Sequence, residues 1–361
     1  MTVLLMIGTR KGLWLARSDE DRQRWKLGDP QFFMQEIPAC AIDSRGGSVR
    51  LLVGARSEHW GPSVFHSDDS GATWQEPAGG AVRFPAEADA AVKAVWQLRP
   101  DTAERPGVVW AGTEPSALWR SEDGGEHFTL VEGLWDHPHR PTWQPGFGGQ
   151  AIHTVLPHPT DDDRVLVAMS TGGVYVTGDG GKSWNPSNQG IKAYFLPDPW
   201  PEYGQCVHKV ARDGADPQRL FAQNHHGVYR SVDGGGTWTS IAEGLPSDFG
   251  FPVVAHPARG GTAWLVPLVA DGERVPPDGL LGVWRTTDSG DSWSSMSSGL
   301  PDGFYASVLR DAFTADDVDP TGLYLGARDG SVYVSADEGE SWTEIARHLP
   351  DILCLRAATL P

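Results

Sequence analysis

Histidine occurs twice in one repeated frame, in QAIHTV (His153) and QCVHKV (His208), and a short GTR or GAR turn recurs at Arg10, Arg56 and Arg328, with GTE in its place at Glu114. Imidazole takes up and returns a proton near neutral pH, and in its neutral form it ligates divalent metals. Glu114, His153 and His208 are therefore the candidate catalytic residues, serving as acid and base near a channel mouth. His153 and His208 are also candidate ligands of a divalent metal, the one cofactor the sequence suggests. Packing is the alternative for both, because repeats reuse a frame for hydrogen-bonded histidines between neighbouring units. The planar fork of arginine fits carboxylate and phosphate, so Arg10, Arg56 and Arg328 make a candidate anion clamp, against the alternative of three solvated surface cations. Lys93, His59, Trp60, Trp143, Gln205 and His225, in the same or adjoining segments, complete the candidate substrate-binding set.

Two long segments precede the histidines: LWDHPHRPTWQPGFGGQ before His153 and IKAYFLPDPWPEYGQC before His208. Loops of this length usually carry function. Trp135, Trp143, Phe195, Trp200 and Tyr203 offer flat walls for a sugar-like ring, and Asp136, His139 and Glu202 offer polar contacts, unless the loops simply cap the opening. The Gly-rich VDGGG at 232–236 is followed by no GK[ST] and lies inside a turn repeat, so it is not a nucleotide loop.

That repeat is what must position everything else. SDDSGATW (67–74), SEDGGEHF (121–128), TGDGGKSW (177–184), SVDGGGTW (231–238), TTDSGDSW (286–293) and SADEGESW (335–342) share the template S/T-x-D-x-G-x-S/T-W, and SDEDRQRW (18–25) is a degenerate copy. The closing aromatics are 49, 54, 56, 54, 55 and 49 residues apart, a period that suits one four-stranded antiparallel blade per repeat. Asp bonds backbone N–H groups along its turn, Gly supplies positive φ, and the aromatic packs beneath. A short alternating strand such as GVYVT or GVYRS precedes each octet, and strands such as VVWAGT and KAVWQL precede that. The reading is an all-β, seven-bladed β-propeller over residues 1–361 with very little helix, whose inner strands include IHTVLP, VHKVAR and a stretch near Val308. Residues 1–30 and 351–361 together form one blade, so that first and last strands pair and close the ring.

Of 361 residues, 29 are Lys or Arg and 47 are Asp or Glu, a net charge of −18 that repels phosphate backbones and anionic membranes. Nucleic acid and membrane are not expected partners; a small anionic or sugar-like molecule is. The opening MTVLLMIGTRKG has neither the basic flank nor the apolar length of a secretory or spanning segment, and Cys40, Cys206 and Cys354 are too few and too scattered for a disulfide framework. A cytoplasmic location follows as the expectation.

The octets match the Asp-box (BNR) repeat, and the chain resembles Asp-box propellers, above all bacterial BNR-repeat, sialidase-like glycosyl hydrolases. The resemblance implies that the octets are structural and lie on the face opposite the functional one. It also tests sialidase activity: the stretch matching the carboxylate-binding F/Y-R-I-P motif reads QEIPA, with Glu36 where that arginine belongs, so a sialic acid would meet a like charge. The expected function is a glycosidase-type hydrolase, not a true sialidase, acting on a small anionic or glycosidic substrate in the central funnel. A metal-dependent lyase or hydrolase and a non-catalytic binding or assembly scaffold are the alternatives.

Overall fold

The octet folds into one turn, repeated. The Ser231 hydroxyl donates to Asp233 Oδ1 at 2.7 Å and accepts the Gly235 N–H at 2.8 Å, while Asp233 accepts the Thr237 N–H at 2.9 Å and its hydroxyl at 2.8 Å. Asp69, Asp179, Asp288 and Asp337 make the same bonds. In the SEDGGEHF copy the His127 ring replaces the hydroxyl, 2.8 Å from Asp123. Two successive left-handed residues make the bend, as at Ser70 and Gly71 (φ 58° and 87°), and a Cβ on Gly71 would lie 2.3 Å from the Leu15 side chain.

In four copies the closing tryptophan then ties its blade to the preceding one, whereas Trp184 donates to Gly181 O of its own octet at 3.1 Å. The indole N–H of Trp238 donates to Ser187 O (2.9 Å), that of Trp293 to Ile241 O (2.8 Å), that of Trp342 to Met296 O (2.7 Å) and that of Trp74 to the Gln31 side chain (2.6 Å). Each acceptor belongs to the blade before.

The computed structural model describes residues 2–78, 80–146, 148–270 and 272–360. Seven antiparallel sheets form a seven-bladed β-propeller. The ring closes in the blade made by Thr2–Thr9, Gly12–Asp19, Lys26–Leu27 and Ile352–Leu360, where Val3 faces Thr359 and Ile7 faces Leu355 across an antiparallel pair. Met1 and Pro361, expected in that blade, lie outside the described residues. The next blade, Glu36–Asp43, Arg50–Ser57 and Gly61–Ser67, has three strands rather than four. Only a His66–Gln75 bridge remains of its fourth, because Pro77 has no N–H with which to continue. The inner strand of the last blade is Phe313–Ala315, beyond the expected stretch near Val308. Helix is confined, among the described residues, to the single turn Glu132–Trp135 and three short 3-10 turns.

Apolar side chains fill the spaces between blades, for example Leu166, Val174, Val207 and Tyr229 in one interface and Trp110, Tyr175 and Ile152 in the one before it. The degenerate octet carries its own link. Arg22, at the glycine position, is buried and pairs with Asp316 of the last blade at 3.0 Å while donating to Pro320 O and Ala336 O. Tyr324 donates to the same carboxylate at 2.6 Å.

Arg22→Ala strands the Asp316 charge in an apolar interface and should lower unfolding stability by about 3–5 kcal/mol, measured by denaturant titration. Acid should act through the octets. The Thr73 and Ser292 hydroxyls, with backbone N–H groups, hold Asp69 and Asp288 down to about 2. These carboxyls bind protons more weakly folded than unfolded, so their contribution is whole above an unfolded pKa of about 3.9 and is lost as pH falls through about 2. Chemical denaturation midpoints should therefore hold down to about pH 4 and fall between about pH 4 and 2.

Candidate functional site

The inner strands surround a central funnel of about 620 Å³, open on the face away from the octet turns. The GTR, GAR and GTE turns picked out from the sequence reach it with Arg10, Arg56, Glu114 and Arg328, and the corresponding turns of two further blades add Thr171 and His225. A register shift in the inner strands adds a second ring. Irregularities fall between Glu36 and Ala39, Val95 and Gln97, Ile152 and Thr154, Val207 and Lys209, and Gly250 and Val253. Such bulges re-aim the side chain they carry, and Pro38, Trp96, His208 and Phe251 line the cavity from them.

The three clamp arginines are brought together at the rim, but their charge is already answered. Arg10 meets Glu36 at 2.7 Å and Asp351 at 3.4 Å, Arg56 meets Glu36 at 3.5 Å, and Arg328 meets Asp351 at 2.8 Å. Glu36, which replaces an arginine in the sialidase comparison, thus bridges two of them. Glu114 lines the funnel from the next blade and, among the described residues, makes no ion pair.

Deeper in, Arg310 lies half-buried over the faces of Trp96 (5.1 Å) and Phe251 (5.9 Å), with Arg274 5.6 Å from Phe251. Among the described residues Arg310 has no carboxylate in ion-pair range, and its Nε is buried without a hydrogen bond. The neighbouring Asp311 is engaged elsewhere, accepting from Lys209 at 2.9 Å and from Arg356 at 2.5 Å. Burial alone would raise the Asp311 pKa; these two cations overcome it and hold the carboxyl well below its usual range.

Beside Arg310 stand Cys206, His208 and His225. Burial, and then the Arg310 charge, keep His208 neutral by pushing its pKa well below the ordinary histidine range. Its Nδ1–H donates to Gly250 O at 2.6 Å, so Nε2 turns towards Cys206 Sγ, 3.6 Å away. Burial raises the Cys206 thiol pKa, against the pull of Arg310, the Thr171 N–H and Arg274.

The remaining expected residues lie elsewhere. His153 is a correction to the expected histidine pair at the channel mouth. It is fully buried between blades, donates from Nε2 to Val207 O at 2.9 Å and faces the Thr154 hydroxyl with Nδ1, which leaves neither nitrogen for a metal shared with His208. Trp143 is in the core with its indole N–H on Tyr175, and Gln205 is buried with its amide on Ile191 O and Pro201 O. Lys93, His59 and Trp60 are exposed outside the funnel, Trp60 by 90%. Of the loop aromatics, Phe195 lines the funnel and an adjoining cavity of about 490 Å³ that Tyr203 also lines, Trp135 is core, and Trp200 is exposed. Sequence reasoning missed Arg274, Arg310, Trp96, Phe251 and Cys206 as a group. Cys206 was within reach, since residues two apart near a strand share a face and His208 was already selected.

A seven-bladed β-propeller with an axial funnel lined by arginines and aromatic rings is the class that fold and site define. No family model matches the chain. It is 28% identical over 255 residues to a xyloglucanase of Paenibacillus, covering 69% of this chain and 21% of that protein. It is 25% identical over 327 residues to a xyloglucanase of Hypocrea jecorina, covering 86% and 32%. With the photosystem II assembly lipoprotein Ycf48 of Synechococcus it shares 23% identity over 333 residues, 88% of this chain and 77% of that one. Among solved structures, YCF48 bound to D1 peptide superposes with a TM-score of 0.53 (15% identity; 86% and 82% covered) and an ancestral GH74 enzyme with 0.54 (17%; 82% and 37%). The chain thus spans about a fifth to a third of these two xyloglucanases and most of Ycf48. Among the described residues no helix is long and apolar enough to cross a membrane.

Alkylation by iodoacetamide, followed by mass spectrometry, should label Cys206 with a pH midpoint above the free-thiol value of about 8.5. Arg310→Ala should move that midpoint higher, because the guanidinium favours the thiolate.

Proposed function

We propose that this protein is a glycosidase-type hydrolase that takes the end of an acidic saccharide into the axial funnel. The observation that carries the reading is Arg310, a guanidinium set over two aromatic faces at the cavity wall without a carboxylate of its own. A sugar acid supplies both halves of the match, a carboxylate for the fork and a ring for the aromatic surface. Glycoside cleavage needs one carboxyl to give a proton and another held as an anion. Glu114 takes the first role. Glu36, fixed by Arg10 and Arg56, takes the second. Likeness to xyloglucanases supports hydrolysis of a glycosidic bond, while the cationic wall turns the preference towards an acidic sugar.

A peptide-binding role is the second reading, favoured by the Ycf48 match running along most of both chains. Arg310 would then hold the terminal carboxylate of a peptide, and no glycoside would turn over.

A panel of aryl glycosides and oligosaccharides, half uronic and half neutral with xyloglucan fragments included, separates these. We expect turnover of uronic substrates, lost in Glu114→Gln. Arg310→Ala should raise their KM by about ten- to a hundredfold, the equivalent of about 1.5–3 kcal/mol for a charge-assisted contact. Turnover of neutral substrates only would remove the acidic-sugar assignment. Absence of any turnover, with peptide acids binding and peptide amides not, would establish the second reading.

A further inference from the structure

One sulfur and two ring nitrogens meet on the funnel wall in Cys206, His208 and His225, with all three donor atoms within 4.8 Å of one another. We propose that they form a binding site for a divalent cation of the zinc class, three protein ligands with the fourth position open to the cavity. The inference goes beyond the hydrolase reading and stands whichever ligand the funnel takes.

The spacing carries it. Zn–S and Zn–N bonds of about 2.3 and 2.05 Å at a tetrahedral angle put sulfur and nitrogen about 3.6 Å apart. Cys206 Sγ and His208 Nε2 are 3.6 Å apart. The imidazole is already aimed, because Nδ1–H is committed to Gly250 O at 2.6 Å and Nε2 is left as the donor, the arrangement by which outer partners orient metal-binding histidines.

His225 comes from the adjacent turn of the same blade, and its backbone N–H donates to Cys206 O at 2.9 Å, which fixes the two segments against each other. Thr171, held at φ 54° where a β-branched residue is rare, directs its N–H at Cys206. Buried Phe249 stands edge-on to both His208 (5.4 Å) and His225 (5.2 Å) and backs the two rings, while Phe251 lies 4.8 Å from His208 on the cavity wall.

The chemistry selects the metal class. Thiolate with imidazole suits zinc and its borderline neighbours, whereas magnesium and calcium want oxygen ligands. On binding, the Cys206 S–H proton leaves to solvent and the sulfur–metal bond forms, so cation and thiolate together carry one positive charge. Arg310 and Arg274 add to it, and the open position therefore favours an anionic oxygen over water.

Cobalt titration of the full-length, metal-stripped protein tests this without substrate. We expect one equivalent of Co²⁺ to bind, with a thiolate-to-cobalt charge-transfer band and intense ligand-field bands of tetrahedral type, both abolished by Zn²⁺. Cys206→Ser keeps the side-chain shape and should remove the charge-transfer band. His225→Ala should weaken binding by more than the 10- to 100-fold that loss of an outer partner typically causes. Cys40→Ser should change neither, because Cys40 lies buried beside Cys354 at 3.5 Å in another blade interface. No band in the wild type, or a band that survives Cys206→Ser, would overturn the proposal.

Discussion

Everything in this molecule hangs on how a short acidic turn is coupled to the blade behind it. An Asp carboxylate and a Ser or Thr hydroxyl gather the backbone N–H groups of a tight bend, and the bend fixes where the following indole points. At Trp74, Trp238, Trp293 and Trp342 the indole N–H then reaches the previous blade. Local turn chemistry and inter-blade geometry are in this way one device, and repeating it sets the angle between sheets. Where the octet is lost, at residues 18–25, the buried Arg22–Asp316 pair supplies a substitute link of a different kind. An ion pair in an apolar interface tolerates little misplacement, which suits the one junction where the ring has to meet itself.

The same device explains what the sequence made legible. The octet period located each hairpin, and the recurring GTR, GAR and GTE turns marked four residues that ring the funnel mouth, Arg10, Arg56, Glu114 and Arg328. Inner strands were another matter. Alternation places His153 and His208 in one frame, yet each sits at a bulge, and a bulge is set by how a strand meets its neighbours rather than by its own pattern. One histidine turned to the adjoining blade and the other to the cavity. Arg310 was hidden for a related reason, because the strand it precedes begins at Phe313 and a misplaced strand carries no usable frame. The charge state of the clamp arginines was equally out of reach. Glu36 reaches Arg10 only when its blade packs beside the first, and Asp351 reaches Arg10 only when the first and last segments are brought side by side.

Charge in the folded protein is segregated. The chain carries a net −18, while the funnel wall has Arg10, Arg56, Arg274, Arg310 and Arg328 against Glu36, Glu114 and Asp311. The rim cations are balanced where they stand, and Arg310, which among the described residues has no carboxylate in ion-pair range, sits deeper, next to aromatic faces and the thiol–imidazole group.

Ring closure has a consequence for how the molecule is made. The strand Thr2–Thr9 leaves the ribosome first of those described, and its partner Ile352–Leu360 leaves last, so one edge of the first hairpin stays without its mate throughout synthesis. Such a non-local pairing gives the topology a high contact order and slow completion. Until then the open edge accepts any strand of matching pattern, including Ile352–Leu360 of another copy, and crowded polysomes are where two such copies meet.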